Sequence, residues 1–257
     1  MILSDPMLLL LVLIGPFVGS FLGVLADRLP RGQGVVWGRS ACRRCKAPLQ
    51  VVDLIPVLSF LWLRGACRHC GASIAPWMLY TEIAAAGAAV LAAIAAPSTA
   101  LAWIWAVWLW LLLVLAVCDL TRFRLPDPLT AALFATAMVL AVMPAGIGLQ
   151  AALIGALAGA GSFAALRWGY QALRGREGLG LGDVKLMAGL GGWAGPWDLP
   201  LLVLIAAIGG LVFALIASLG RGDSGVLLGQ RALPFGAALC GAAAVLWLLR
   251  AGALTIL

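Results

Sequence analysis

The sequence predicts an all-α polytopic membrane protein with about eight transmembrane helices and one small polar loop domain. Hydrophobic residues make up 64% of the 257 positions, and charged residues only 11%. The mean hydropathy of +1.09 lies far above the range of soluble globular domains, which excludes that class. The apolar residues are also gathered into long runs separated by polar loops, as in a helical membrane protein.

Each predicted span is an apolar run close to the ~20 residues that a helix needs to cross a bilayer. The first run, 7–26, lacks a basic n-region and a clear cleavage site before Asp27, so it is interpreted as a retained span rather than a signal peptide. The others lie at 80–96, 99–118, 129–145, 149–168, 184–197, 199–219 and 233–250. The chain therefore divides into a first transmembrane helix (1–26), a polar domain (27–79) and a transmembrane bundle (80–257).

The positive charges fall on alternate loops. All but Arg250 of the 17 lysines and arginines lie on, or at helix ends beside, the loops 27–79, 119–128, 169–183 and 220–232. By the positive-inside rule these loops face the cytoplasm, and both termini face the other side. The expected partners of most of these cations are membrane lipids, and no nucleic acid is expected, because the charge does not gather on one soluble face.

The polar domain carries two cysteine pairs, Cys42-Arg-Arg-Cys45 and Cys67-Arg-His-Cys70, with 21 residues between them. This spacing is typical of a tetrahedral zinc site with four thiolate ligands. A pair of disulfides is the alternative, but the cytoplasm is reducing. With sulfur at all four positions the zinc has no open site for water, so its role would be structural. His69 is interpreted as a bystander.

Two of the ten acidic residues stand out, and both lie at predicted cytoplasmic ends of helices. Asp119 ends the third span, and Asp183 opens the sixth after Gly180 and Gly182. Carboxylates at one depth on different helices can share a proton and act as general base and general acid, as in aspartic proteases. The glycines would allow a substrate or helix to approach closely, and Lys185 would anchor the helix end. Either motif alone is more typical of a helix cap.

In their order along the chain, these motifs resemble the type IV prepilin peptidases that carry a cysteine-rich cytoplasmic domain. Besides the two cysteine pairs, the matching segments are Gly19-Ser-Phe-Leu22, Arg28-Leu-Pro30, Ile55-Pro-Val-Leu-Ser59, Leu61-Trp-Leu-Arg-Gly65, Asp119 to Asp127, Glu177 to Lys185 and Leu233-Pro-Phe-Gly236. The resemblance implies a bacterial inner-membrane enzyme that removes the basic leader from prepilins or type II secretion pseudopilins on the cytoplasmic side, usually after a glycine.

The resemblance also implies residue roles. Asp119 and Asp183 map onto the family's catalytic pair, and the residues expected to support them or bind substrate are Gly180, Gly182, Lys185, Asp127 and Glu82. Many family members then methylate the new amino terminus with S-adenosylmethionine. This chain departs from the family in the region associated with methylation, at Gly23, at Leu54 and at 77–79, so the resemblance implies the peptidase more firmly than the methyltransferase.

The same residues are compatible with two other functions. A presenilin-like intramembrane protease shares Gly-x-Gly-Asp, but its first aspartate would follow a tyrosine, whereas here Cys118 precedes Asp119. A zinc-sensing membrane transporter would carry its acids near the bilayer midplane, whereas Asp119 and Asp183 are expected at its edge.

Small and aromatic residues predict how the helices pack. Glycines four residues apart on the first and fifth spans are expected to allow close helix contacts; they are Gly15, Gly19, Gly23, Gly155 and Gly159. The tryptophans near 103–110 and at 193 and 197 are expected to form an interfacial belt.

Overall fold

The computed structural model describes residues 5–35, 40–144, 146–176, 178–219 and 233–256. In this part of the chain the regular elements are helices, with no β-strand. Six helices are long and apolar enough to cross a membrane, and a seventh is shorter. The predicted all-α polytopic fold is therefore confirmed. The predicted loop 220–232, with Arg221 and Arg231, lies outside the described residues, as do Arg39 and Glu177.

The helices follow the predicted spans closely. Their bounds are α1 Pro6–Arg28, α2 Leu58–Trp62, α3 Pro76–Ala95, α4 Thr99–Arg122, α5 Asp127–Val142, α6 Leu149–Arg174, α7 Leu181–Leu219 and α8 Phe235–Ile256. Two short 3-10 helices, Leu29–Arg31 and Val51–Leu54, lie in the polar domain. The chain forms two compact units, Met1–Val114 and Leu115–Leu257, whose boundary falls within α4.

In the first unit, α1 packs antiparallel to α3 through two glycines. A β-carbon on Gly19 would lie 2.6 Å from the Glu82 Cα, and one on Gly15 would lie 3.0 Å from the Ala86 Cα. Such contacts require the absence of a side chain, which confirms the predicted close packing at both positions. At Gly23 a β-carbon would meet nothing within 4 Å, so that prediction was wrong.

The tryptophans of α4 are buried rather than interfacial. Trp105, Trp108 and Trp110 are at most 8% exposed, and the Trp110 indole N–H donates to the Ala85 carbonyl at 2.9 Å. The predicted belt was therefore wrong for these three residues. These three residues lie inside the predicted span and not at its ends. Most of each indole therefore packs between helices, which accommodates its apolar surface.

In the second unit, α6 packs antiparallel to the first part of α7. The backbone at Gly155 approaches the Gly191 carbonyl so closely that no β-carbon fits between them, and a β-carbon on Gly159 would lie 2.6 Å from the Met187 carbonyl oxygen. The predicted small-residue contact on this span is confirmed. It holds the first part of α7 against α6 with the two backbones in direct contact.

The long helix α7 is two helices joined by a break at Gly195, whose φ of +76° is not helical. Beyond the break, Asp198 pairs with Arg250 near the end of α8 at 2.6 Å. Further along, Gly210 faces Phe235 at the start of α8. The second part of α7 therefore runs back along α8. This reversal confirms the two separate spans predicted at 184–197 and 199–219, and with α5 it accounts for the expected eight.

Candidate active site and metal centre

Asp119 lies near the end of α4 and is only 6% exposed. Its Oδ2 accepts a hydrogen bond of 2.8 Å from the backbone N–H of Ala237, in the first turn of α8. The neighbouring Gly236 lies so close that a β-carbon there would sit 3.1 Å from the same oxygen. The residue is thus placed by the beginning of α8 as well as by its own helix.

Asp183 is half-buried in the first turn of α7. Its backbone N–H donates to the Gly180 carbonyl at 3.2 Å, and a β-carbon on Gly180 would lie 3.5 Å from its Oδ2. Gly182 packs against Leu125, which a β-carbon would approach to 3.0 Å. Gly182 therefore allows close packing on the loop between α4 and α5, whereas a β-carbon at Gly180 would make only an ordinary van der Waals contact.

The two carboxylates lie within electrostatic range of each other. Cys240, a buried residue of α8, interacts with both of them and with Cys118. Both cysteines lie in apolar runs, so no sequence pattern indicated this neighbourhood. Two negative charges close together at a partly desolvated site raise the free energy of the protein, so the two carboxyl groups favour sharing one proton. The arrangement can therefore supply both a proton acceptor and a proton donor.

Arg167 is a second residue that sequence reasoning missed. It was counted among the arginines that set topology, but it is only 7% exposed, and its guanidinium donates to the Leu179 carbonyl in the segment before α7. It continues a buried stripe of α6 at intervals of four residues, after Gly155, Gly159 and Phe163. That periodicity was the available signal.

The remaining predicted site residues make two separate contacts. Lys185 pairs with Asp127 at 2.7 Å, joining the first turns of α5 and α7 within the second unit, and both side chains are about half or more exposed.

Glu82, in the first unit, accepts a hydrogen bond from the Val57 N–H at 2.7 Å and another from Ser20. Its carboxylate thereby joins the polar domain to α1 and α3.

The four predicted metal ligands come together. The sulfur atoms of Cys42, Cys45, Cys67 and Cys70 all lie within 4.8 Å of one another. The Cys42–Cys70 separation is 3.8 Å and the Cys45–Cys67 separation is 4.0 Å. A tetrahedral zinc with Zn–S bonds of about 2.3 Å has sulfur–sulfur edges of roughly 3.8 Å. The cluster thus has the donors and the dimensions to hold a metal ion, consistent with zinc.

Both cysteine pairs are built as the same small hairpin. In the first, the Cys42 N–H donates to Ala47 at 2.9 Å and the Lys46 N–H to Cys42 at 3.0 Å. In the second, the Cys67 N–H donates to Ala72 at 2.8 Å and the Gly71 N–H to Cys67 at 2.9 Å. These hydrogen bonds join residues four or five positions apart, so the fold of each hairpin is local.

Backbone N–H groups also stabilise the thiolate form of one of the cysteines. The N–H groups of Cys45 and Arg44 point to the Cys42 sulfur and lower the pKa of this thiol to about 6. The thiolate is the form that binds a metal ion. Nearby, Arg68 donates to Asp53 at 2.7 Å and 3.0 Å and holds the pKa of this carboxyl below its ordinary value.

Two family models match the chain, the Bacterial Peptidase A24 N-terminal domain over residues 13–96 and the Type IV leader peptidase family over residues 106–215. A "Prepilin leader peptidase/N-methyltransferase" of Pectobacterium carotovorum is 37% identical over 229 residues, which are 79% of this chain and 80% of that protein. One of the same name from Burkholderia pseudomallei is 35% identical, covering 88% and 80%.

A third relative carries a different description. The "Type 4 prepilin-like proteins leader peptide-processing enzyme" of Escherichia coli O78:H11 is 34% identical over 225 residues, which are 80% of this chain and 84% of that protein. No solved structure matches the chain significantly.

Proposed function

We propose that this chain, which belongs to the type IV leader peptidase family, is a membrane-embedded aspartic endopeptidase of the bacterial inner membrane. Its substrates in this proposal are type IV prepilins or type II secretion pseudopilins, from which it removes the basic leader peptide. The names of the relatives support the substrate class. The observation that carries the mechanism is the electrostatic interaction between Asp119 and Asp183, two carboxylates from separate helices.

In the proposed mechanism one aspartate is ionised and the other holds a proton. The ionised carboxylate takes a proton from water while the water oxygen bonds to the carbonyl carbon of the scissile peptide. The protonated carboxyl then donates its proton to the departing nitrogen as the C–N bond breaks. The leader gains a carboxyl terminus, the mature protein gains a free amino group, and the pair again holds one proton between the two carboxyls.

The cytoplasmic side is proposed for this chemistry because of the cations. Arg122 and Arg124 lie three and five residues after Asp119, and Lys185 lies two residues after Asp183. Both aspartates stand at helix ends, so a basic leader would be cut just outside the apolar core while the apolar segment of the substrate lies among the helices. Both termini of the chain then face the opposite side. Gly180, Gly182, Lys185, Asp127 and Glu82 support the site or contact substrate in this proposal.

A structural zinc ion is proposed for the polar domain, 27–79. Cys42, Cys45, Cys67 and Cys70 would hold it, and four sulfurs would leave no position for water. The zinc would stabilise the loop fold and take no part in hydrolysis, which is left to the carboxylates. About one zinc per chain is therefore expected in elemental analysis of the purified protein.

Methyl transfer from S-adenosylmethionine to the new amino terminus is proposed as a second activity. It is favoured by the name that the Pectobacterium and Burkholderia relatives share. The departures at Gly23 and Leu54 stand against a high rate, because polar groups associated with this step are replaced there by smaller or apolar ones. Mass spectrometry of the processed amino terminus reports both activities in one measurement.

The test is cleavage of a synthetic prepilin with a basic leader, a glycine and an apolar amino-terminal segment. Asp119→Asn and Asp183→Asn are each expected to abolish cleavage, because neither amide can exchange the catalytic proton. Asp5→Asn is the matched control, since asparagine still caps α1 where Asp5 accepts the Met7 N–H at 2.8 Å. It should cleave at the rate of the unsubstituted enzyme.

Normal cleavage by either active-site variant would overturn the assignment of Asp119 and Asp183. The position of the cut separates the remaining outcomes. A cut inside the apolar segment would indicate a presenilin-like protease, whereas a cut after the leader glycine supports the proposal. An added methyl group on the product would support the second activity.

A further inference from the structure

The first turn of α8 is directed at the Asp119 carboxylate. Helix α8 begins at Phe235, so the N–H groups of its first residues have no partner within the helix itself. The Ala237 N–H donates to Asp119 Oδ2 at 2.8 Å, and the Gly236 N–H lies close enough to stabilise the same carboxylate. Both donors are backbone groups whose directions are set by the helix.

This contact leaves too little room for a side chain at position 236 unless its neighbours move by a few tenths of an ångström. A β-carbon there would stand 3.1 Å from Asp119 Oδ2, 3.2 Å from its Cγ and 3.1 Å from Leu125 Cδ1. The carboxylate and Leu125 together fill the space that a side chain would take. Any larger residue must therefore push the carboxylate away from the helix or push the helix away from the carboxylate.

The two aspartates are consequently held in different ways. Asp119 lies at the amino end of another helix, where the partial positive charge and two N–H donors favour an ionised carboxylate. Asp183 lies in the first turn of its own helix, so the partial positive charge of a helix end acts on it as well. Among the described residues, however, its carboxylate receives a backbone N–H from Gly180 alone, one donor fewer than Asp119. When a like-charged pair holds one proton, the proton resides mainly on the member with the weaker set of donors.

We propose that Gly236 and Ala237 are positioning residues that make Asp119 the ionised, water-activating member of the pair and leave the proton on Asp183. This inference rests on the proposed peptidase function. The titratable neighbours of Asp119 in the described part of the chain are Asp183 on α7, Cys118 on α4 and Cys240 on α8. The acidic limb of the pH–rate profile then reports Asp119 as the base.

The test is Gly236→Ala, with Gly241→Ala as the matched control on the same helix. A β-carbon at Gly241 would meet nothing within 4 Å. Gly236→Ala is expected to lower kcat by about tenfold, because displacing a catalytic group by ~1 Å can cost ~10²-fold and the displacement here is smaller. KM should stay within about twofold. The acidic limb should move to higher pH, since the displaced carboxylate loses donors that stabilise its charge.

Gly241→Ala should leave kcat, KM and the pH profile unchanged. The inference is overturned if Gly236→Ala behaves like Gly241→Ala while Asp119→Asn is inactive. Activity of Asp119→Asn would instead overturn the proposed function itself, so the two failures are distinguishable. A fall in kcat without a shift of the acidic limb would also overturn the inference, because it would indicate general damage to packing.

A second measurement does not depend on the folding of Gly236→Ala. Amide hydrogen exchange of the segment 233–241 is compared between the unsubstituted protein and Asp119→Ala. The Ala237 N–H exchanges slowly if Asp119 accepts its hydrogen bond and faster when that acceptor is removed. Equal exchange in the two proteins would overturn the inference even if Gly236→Ala could not be purified.

Discussion

The four-cysteine cluster and the aspartate pair are built from the chain in opposite ways. Each half of the cluster is a hairpin closed by backbone hydrogen bonds between residues four or five positions apart. Asp119, by contrast, accepts its hydrogen bond from a residue 118 positions later. The metal centre therefore depends on local chain geometry and on the ion it would hold, whereas the aspartate site depends on how three helices pack.

The two sites also differ in what surrounds them. The polar domain has little apolar interior, and side chains such as Val51 and Trp62 are 83% and 77% exposed. The aspartates, in contrast, are surrounded by buried residues of the second unit, including Cys118 and Cys240. A bound metal ion would offset the ordering entropy of such a small loop, while the second site takes its order from helix packing.

Removal of one cysteine ligand is expected to have the largest effect. Structural zinc supplies about 10–16 kcal/mol of apparent binding energy in zinc-finger peptides, so Cys70→Ser should lose the metal and unfold the loop. His69→Ala is the control and should keep about one zinc per chain. Elemental analysis and proteolysis of the loop measure the difference. Full zinc in Cys70→Ser would contradict the four-thiolate assignment.

The next largest effect is expected at the contact between α6 and α7. Gly155→Ala forces a methyl group onto the Gly191 carbonyl, and overpacking of this kind typically costs about 1–3 kcal/mol or more. Gly161→Ala, on the same helix and with nothing within 4 Å, should be tolerated. Thermal unfolding in detergent compares the two variants. Equal midpoints would show that the close contact is not needed.

A somewhat smaller effect is expected at Arg167. Losing a hydrogen bond from a charged group costs about 1.5–3 kcal/mol. If the loss of this bond displaces Asp183 and the same energy is added to the activation barrier, the rate falls ~10-fold to ~100-fold. Arg167→Met should therefore lower kcat, while Arg174→Met, at an exposed position of the same helix, should not. The comparison fails if both variants cleave the synthetic prepilin equally well.

The smallest effect is expected from substitutions at the residue that follows each cysteine pair. Lys46 and Gly71 occupy equivalent positions with φ of +60° and +66°, a left-handed conformation that costs a residue with a side chain about 1–2 kcal/mol. Lys46→Gly should tighten zinc binding and Gly71→Ala should weaken it, each by ~5-fold. Competition with a chelator measures both. Changes of the same sign in both variants would contradict the equivalence of the hairpins.

The sequence indicated the features that rest on local pattern. The spans follow from apolar length, the cysteine cluster from the spacing of its pairs, and the packing of Gly15, Gly19, Gly155 and Gly159 from their repeat. The burial of Arg167 and of the α4 tryptophans was not expected. Arginine and tryptophan lie on average near the ends of membrane helices. Whether one such residue is buried depends on which neighbouring helices pack against its face of the helix.

By itself, the sequence determined an all-α membrane fold and a four-cysteine cluster, and it predicted the roles of Asp119 and Asp183, because hydropathy, ligand spacing and short motifs are properties of short segments. Only the tertiary structure decided that α7 reverses at Gly195 and that Asp119 meets Gly236 at the start of α8. Those contacts join residues far apart in the chain, and their energy depends on distances of a few tenths of an ångström that no sequence pattern specifies.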